Sequence, residues 1–387
     1  MTRVQPDVEA FARIKVIGVG GSGVNTIDHM IRCKVKGVDF ISVNTDAQDL
    51  HHSLAPKKIH IGKNLTRGLG AGMNPEIGKQ AAEETKDEIQ EAIKGADMIF
   101  VAGGFGGGTA TGAMPIIAKT AKEQGILTIA VSTRPFGFEG AQRARLAEEG
   151  LQELKECVDA MIVIPNDRLL QIIQKDTTFL SAFAQCDEVL RQAVEGISDL
   201  ITMPGIINVD FADVKAIMKN AGSALMGIGT GRGDKRAEDA ARLAINSPLL
   251  ETSIDGAKGV LFAVAGGDDM TMIEIQEAAK VITESVDEYA KIIFGAFQDS
   301  RLKKNEIKIT VVASGFPKDI PAKTQNLFQG SVATIGSLSM PLQKFVRPKD
   351  IKEKEIVSAP ISPEEQKSKD WEAIPAFLRR SAKKEEE

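Results

Sequence analysis

After a polar stretch over residues 1–12, short apolar runs alternate with longer stretches in which apolar residues recur every three to four positions. RIKVIGV (13–19), DFISVN (39–44), DMIFVA (97–102), ILTIAVS (126–132) and AMIVIP (160–165) read as strands. The stretches between them, such as 24–32 and 114–124, read as helices. Alternation of this kind predicts an α/β fold, a parallel sheet covered on both faces. A long helical pattern covers 178–201, with Phe179, Phe183, Leu190, Val194, Ile197 and Ile201 along one face, and Met203-Pro204-Gly205 ends it. From Gly222 a second block begins: SALMGIGTG, a helix over 236–246, GVLFAVAGG, a helix over 270–288, KIIFGAFQ and EIKITVVASGF. It predicts a smaller α/β domain with a mixed four-stranded sheet. Residues 317–369, rich in Pro, Lys, Gln, Ser and Glu, read as a disordered linker. The segment 370–380, from Asp370 to Arg380, sets Trp371, Ile374, Phe377 and Leu378 in a polar tail. It reads either as a terminal remnant or as a short partner-docking motif.

Composition narrows the function. A chain of 387 residues favours two or three domains, and 43% hydrophobic residues can fill a sizeable core. The net charge of −5 argues against nucleic acid as the main partner. One Trp and one Tyr leave little for base-stacking platforms. Cys33, Cys157 and Cys186 show no CxxC and read as reduced thiols in the core. The four histidines form no metal pattern, and the His51–His52 pair reads as a solvated loop, so no protein metal site is expected. No apolar run approaches the ~20 residues of a membrane span, and the polar N-terminus lacks a signal-peptide core. The expectation is a cytoplasmic protein without membrane insertion.

Candidate chemistry lies in the glycine loops. GGFGGGTATG (103–112) sits between a strand and a helix, where backbone N–H groups turn toward an anion. Gly104, Gly106, Gly107, Gly108 and Gly112 would let phosphate lie against the main chain, and Thr109 and Thr111 would add hydroxyls. A flexible surface loop is the bland alternative. In GVGGSG (18–23), Gly18, Gly20 and Gly23 match GxGxxG, and Asp46 follows at the distance a dinucleotide fingerprint requires. Alone, that match would fit an NAD-dependent oxidoreductase. Two glycine loops from one sheet instead suggest a nucleoside triphosphate held from two sides. There is no GxxxxGK[ST], so this is not a P-loop enzyme. TRGLGAG (66–72), with Ala71 and Gly72, can close over a γ-phosphate. In NTDAQ (44–48), Asn44 and Asp46 can meet phosphate, Mg²⁺ or its waters. The same residues also read as a helix N-cap, and both readings can hold. Asp187, four residues after Phe183, interrupts an apolar stripe. It can pair with guanine N1–H and N2–H₂ while Phe183 stacks on the ring, or it can lie in a solvated patch.

GVGGSGVNTIDHMI, NTDAQ, TRGLGAG, GGGTATGA, RPFGFEG, IPNDRLL and NVDFADV, in this order and spacing, closely resemble the FtsZ family, the bacterial tubulin-like GTPases of the cell-division ring. The resemblance covers about 13–316 and resumes at DWEAIPAFLRR, similar to the family's C-terminal partner-binding peptide. It implies a tubulin-like fold: a Rossmann-like GTP-binding domain (13–177), a central helix (178–202), a catalytic loop and helix (203–221) and a C-terminal α/β domain (222–316). The arm 1–12, the linker 317–369 and the peptide and tail 370–387 would flank these. It implies GTP/GDP as ligand, with Mg²⁺ held mainly through phosphate and water. Gly20, Gly21, Ser22 and Asn25 would line the phosphates with the second glycine loop. Thr133, Pro135, Glu139 and Arg143 would contact ribose, phosphate or base, and Asn166, Phe183 and Asp187 would hold guanine.

The family's catalytic loop corresponds to Asn208, Asp210 and Asp213, which would act on the nucleotide of the next subunit in a head-to-tail filament. Without the resemblance, the favoured reading of Asp210 and Asp213 is a helix cap, with Asp213 at the third helical position. Membrane-tethering division proteins would bind the segment from Asp370 to Arg380, placing the filament at the division site beneath the inner membrane. The chain departs from the family at Ala110, where GGGTATG replaces GGGTGTG. With φ below zero a methyl is tolerated there; with φ above zero, or against phosphate, it would slow turnover or weaken binding. A nucleotide-binding filament subunit with little hydrolysis is therefore the alternative.

Overall fold

The alternating runs pair into one eleven-stranded sheet among the described residues. These are 12–171, 177–250, 252–299 and 301–316 of a computed structural model. Most of the arm, the linker, the terminal peptide and the Phe179 side chain lie outside them. The first part of the chain runs β1 (Ile14–Val19), α1 (Gly20–Arg32), β2 (Val38–Asn44), α2 (Ala47–His52), β3 (Lys57–His60), α3 (Lys63–Thr66), α4 (Pro75–Glu84) and α5 (Lys86–Ile93). It continues β4 (Met98–Gly104), α6 (Thr109–Glu123), β5 (Leu127–Arg134), α7 (Ala141–Cys157), β6 (Ala160–Pro165) and α8 (Asn166–Leu169). Then come α9 (Phe179–Thr202), β7 (Gly205–Ile207), α10 (Phe211–Met218), β8 (Gly222–Arg232), α11 (Arg236–Ile245), β9 (Gly259–Gly266), α12 (Met272–Thr283), β10 (Lys291–Gln298) and β11 (Glu306–Ser314).

The strand order is β3-β2-β1-β4-β5-β6-β8-β11-β9-β10-β7. From β3 to β8 every pairing is parallel. The chain steps outward from β1 to β2 and β3, then returns to place β4 on the other side of β1. The order therefore reverses between β1 and β4, and a crevice opens beyond their carboxyl ends. Successive residues of a strand face opposite sides. Ile17 and Val19 pack with α4, α5, α6 and α7, whereas Ile14 and Val16 pack with α1 and α9. Both faces are dry, which accounts for strands that read as continuous apolar runs.

The second block contains the four strands expected of a mixed sheet. β11 is antiparallel to β8 and β9, and β10 is parallel to β9. Two features were not foreseen. A short strand, β7, adds antiparallel to β10, and β8 pairs with β6 over Ala160–Gly222 to Ile162–Ala224, making one continuous sheet. Two helices also start earlier than their apolar pattern: α1 at Gly20 and α6 at Thr109, inside the glycine loops. The expected helix over 270–288 is shorter, α12, and its start is set by Thr271, whose hydroxyl accepts from Glu274 N–H in a capping box.

Helix α9 lies across the sheet. Leu190, Ala193, Val194 and Ile197 are fully buried against residues from β1, β8, β9 and β11, with Phe183 and Ile201 packed at the margins. Cys186 and Val189 fill the interval between Phe183 and Leu190 on that face. Cysteine placement corrects one expectation: Cys186 is buried, Cys157 is intermediate, and Cys33 is exposed as the residue that ends α1. His51 and His52 are exposed, as expected, but occupy the last turn of α2 rather than a loop.

Leu190 is shared between helix and sheet, so its truncation tests the role of α9. Leu190→Ala is expected to lower the unfolding free energy by about 2–5 kcal/mol. A denaturant midpoint unchanged from the parent would show that α9 is not a core element.

Candidate functional site

At the carboxyl ends of β1 and β4, two helices begin side by side. Neither α1 nor α6 has a side-chain N-cap or an acid in its first turn. Other helices here are closed by their own residues: α2 by Asp46, α10 by Asp210 and α12 by Thr271. The unclosed N–H groups of two long helices make a positive, donor-rich crevice. Gly20 opens α1 at φ +71°, with the Ala110 amide 3.2 Å from where a Cβ would stand. Gly106 turns the second loop at φ +95°. A Cβ on Gly107 would meet nothing within 4 Å, so the backbone there faces open space.

The other loops close around this point. A Cβ on Gly104 would meet Ser22 Oγ at 2.9 Å and Thr133 Oγ1 at 3.2 Å, which places these three together. Gly106 is likewise gathered with Pro135 and Arg143. Ala71, buried, lies against Gly108, while Gly72 at φ +56° faces open space. The TRGLGAG turn is tied to NTDAQ by a bridge between Asp46 and Leu69 and by Ala47 N–H donating to Gly68 O at 3.2 Å. Gly21, Ser22 and Asn25 remain at least partly exposed on the first turns of α1.

Several candidates brace the site. Asn44 is buried; its Nδ2 donates to Asp49 Oδ2 at 2.8 Å. Asp46 accepts from the Gln48 and Asp49 amides as the N-cap of α2. Thr111 is buried and its Oγ1 accepts from Gly106 N–H at 3.0 Å, shaping the loop from within. Gly112 faces away, because a Cβ there would stand 1.9 Å from Pro75 O of α4. Glu139 Oε2 accepts from Arg143 Nη1 at 3.0 Å, and its Oε1 accepts from Phe136 N–H at 3.0 Å.

On the far wall, Asn166 opens α8. It is buried, and its Oδ1 has no hydrogen-bond partner within the protein among the described residues. Phe183 meets Phe136 edge-on at 5.4 Å. Asp187 accepts from Thr26 Oγ1 at 2.7 Å. Burial raises the Asp187 carboxyl to about 6, with the Thr26 hydrogen bond opposing that rise.

Sequence reasoning missed two threonines. Thr26, fully buried in α1, links that helix to Asp187. Thr45, also fully buried, meets Thr109 Oγ1 at 2.7 Å and ties the end of β2 to the start of α6. Thr45 lies within NTDAQ, between two residues that were singled out. Thr26 had only its helical spacing to mark it.

The structure does not bring Asn208, Asp210 and Asp213 to the crevice. Asn208 Oδ1 accepts from Gly205 N–H at 2.7 Å, and Asp210 Oδ1 accepts from Asp213 N–H at 2.7 Å as the cap of α10. Their helix ends in a turn whose Asn220 N–H donates to Asp159 Oδ1 at 3.3 Å and whose Gly222 N–H donates to Asp159 O at 2.9 Å. Asp159 precedes β6, so the carboxyl end of α10 is anchored at the amino end of that strand. The glycine loops begin at the carboxyl ends, roughly 17 Å further along the strand direction, the five residues from Thr128 beside Asp159 to Thr133 beside Gly104.

Two family models match the chain: the GTPase domain of the Tubulin/FtsZ family over residues 13–174, and the C-terminal domain of the FtsZ family over 222–317. Among solved structures, an empty FtsZ dimer from M. jannaschii is 47% identical, covering 79% of this chain and 88% of that one, with a TM-score of 0.75. A point mutant of M. jannaschii FtsZ is 46% identical, covering 79% and 92%, with a TM-score of 0.76. A GTPγS-bound protofilament of CetZ2 from Haloferax volcanii is 22% identical, covering 79% and 94%, with a TM-score of 0.68, a likeness of fold alone.

Ala110 is helical and is not among the residues with positive φ. It is 5% exposed, and its methyl points at the backbone of Gly20 and Gly103, part of the core beneath the crevice. The methyl is therefore tolerated, and it favours the helix. Ala110→Gly is expected to cost about 1–2 kcal/mol of stability, from helix propensity and one lost buried methyl. Equal or greater stability of the glycine variant in urea would mean that the alanine is strained.

Proposed function

The chain belongs to the FtsZ family, and on that premise we propose how its residues divide the work of a GTP-dependent, filament-forming cell-division protein. It is a GTPase that binds GTP and GDP and self-associates into filaments. The site residues fit a nucleotide: two unclosed helix N-termini, an open backbone at Gly107 and a buried, unpaired Asn166 Oδ1.

In this reading the amides from Gly20 to Ser22 and from Gly107 to Thr109 hold the phosphates, while Gly106 turns the loop with its own N–H given to Thr111. Asn25, Gly104 and the turn at Ala71–Gly72 close around them. Thr133, Pro135, Glu139 and Arg143 flank the ribose. Asn166, Phe183 and Asp187 receive guanine, with Thr26 fixing the carboxylate. Asp46 is already occupied as a cap, so Mg²⁺ would be carried mainly by phosphate and water. GTP supplies the phosphoanhydride bond that breaks. Amides and hydroxyls in the crevice stabilise charge, while Asp210 and Asp213 of the next subunit orient the attacking water.

The observation that carries this reading is the anchoring of α10 at the end of the sheet opposite the glycine loops. A contact joining one end to the other is heterologous and builds filaments rather than closed dimers. The inward-facing Ala110 methyl removes the motive for a filament with little hydrolysis, and the oxidoreductase reading is not favoured. No helix among the described residues is long and apolar enough to cross a membrane. The segment from Asp370 to Arg380 is proposed to dock membrane-tethering and regulatory division proteins at a cytoplasmic division site.

Phosphate release per molecule should rise steeply with protein concentration. Asp213→Ala should cut it at least about 100-fold while GTP affinity stays within about threefold. If that variant loses GTP binding instead, the loop serves its own subunit and the trans mechanism fails. The pH dependence of binding is a second test. Asp187 must be ionised to accept from guanine, and its carboxyl titrates at about 6. GTP affinity should be level near pH 7 and above, then fall to about one tenth by pH 5, a slope absent in Asp187→Asn. Wild-type affinity that stays flat to pH 5 would remove Asp187 from base recognition.

A further inference from the structure

Away from the glycine loops, three side chains of different chemistry converge where the end of α1 meets α9. His29 Nε2 lies 2.9 Å from Glu188 Oε2 and 3.7 Å from Cys33 Sγ. One ligand atom from each residue lies within 4.8 Å of the others, the one such group among the described residues. His29 and Cys33 are four apart and share a face of α1, while Glu188 reaches across from α9. A single imidazole nitrogen thus faces both a sulfur and a carboxylate. A plain His–Glu bridge between the helices would need no thiol.

The distances suit a thiophilic ion. Zinc–ligand bond lengths place neighbouring donors in a tetrahedral site about 3.3–3.6 Å apart. The observed 2.9 and 3.7 Å need adjustments of a few tenths of an ångström. The sulfur must also swing toward the carboxylate, and Cys33 is exposed, with room to do so. Glu188 is already oriented: Arg191 Nε and Nη2 donate to it at 2.8 and 2.7 Å, and Gln192 Nε2 donates at 2.7 Å. Metal-ligating carboxylates are typically held by such outer contacts. The guanidinium would repel a cation, but its Nη1 is paired with Glu195, which offsets that charge.

We propose that His29, Cys33 and Glu188 form a site for Zn²⁺ or a similar thiophilic divalent cation, with water completing the coordination. Thiolate ligation selects against Mg²⁺ and Ca²⁺. On binding, the Cys33 thiol gives up its proton to solvent, and neutral His29 offers the Nε2 lone pair. The ion would clip the last turn of α1 to α9. His29 and Cys33 lie about 14 and 20 Å along the helix axis from Gly20, so the site is separate from the nucleotide phosphates.

The test uses the full chain with Co²⁺ and Zn²⁺ as probes. One equivalent of Co²⁺ should give a thiolate-to-metal charge-transfer band that Zn²⁺ displaces. Cys33→Ser should abolish the band, and Cys33→Ser and His29→Gln should each weaken Zn²⁺ binding, measured against a chromophoric chelator, by about 100-fold or more. Cys157→Ser should keep the band. GTP turnover in Cys33→Ser reports that the variant is folded. Absence of the band in the parent, its persistence in Cys33→Ser, or its loss in Cys157→Ser would overturn the assignment.

Discussion

Two helix N-termini meet at the gap between β1 and β4, and neither is closed by a side chain of its own. Much of the structure follows from that arrangement. Unpaired N–H groups are costly unless a partner arrives, so these ends are suited to a polyanion and poorly suited to an empty, dry interface. The gap exists because the chain winds outward from β1 in one direction and then returns on the other side. Glycine is required where the two ends crowd each other, as at Gly20 against the Ala110 amide. The threonines nearby are drawn into holding the ends together: Thr45 to Thr109 at the start of α6, and Thr111 to the Gly106 amide.

Helix α9 connects this crevice to the rest of the molecule. Near its start it carries Asp187, held by Thr26 of α1. Two turns later it carries Glu195, nearly fully buried and paired with both Arg191 and Arg301. Arg301 also reaches Asp199 at 3.1 Å and Asp299 at 2.8 Å. Burial and the neighbouring Glu195 raise the Asp199 carboxyl to about 6. Buried charges of this kind contribute little net stability, but they strongly penalise arrangements that would separate them. They therefore fix how α9 sits on the turn between β10 and β11. The guanine-binding candidates and the C-terminal strands are thereby anchored to one helix.

The strands and glycine loops were legible because their signals are local: apolar runs, and glycines at strand ends. The stripe on α9 was legible because its period is local too. What escaped depends on contacts distant in sequence. The starts of α1 and α6 are invisible to hydrophobic periodicity, since their first turns are glycine, serine and threonine with Ala110 the one apolar residue. The pairing of β6 with β8 joins residues some sixty positions apart over only three pairs. Cys33 was placed in the core by residue type, yet it is exposed because α1 ends there and the chain turns out toward β2. Thr26 looked like an ordinary buried helix residue, and only the position of α9 gives it Asp187 as a partner.

The resemblance assigned roles to Asn208, Asp210 and Asp213, but it could not say why those roles should be exercised in trans. The fold supplies a physical reason. The turn that anchors α10 lies roughly 17 Å from the start of the second glycine loop, and beyond a Debye length of about 8–10 Å a carboxylate has negligible influence on a phosphate through solvent. It can neither position a water nor bear on the charge of the leaving group from there. Within one molecule the crevice therefore has donors for binding but lacks the proposed acids, of which Asp210 caps α10 by accepting from the Asp213 amide. Stacking a second chain end to end requires only that the two ends be complementary. On this reading, hydrolysis waits for polymerisation because the sheet that positions the nucleotide also keeps the acids apart from it.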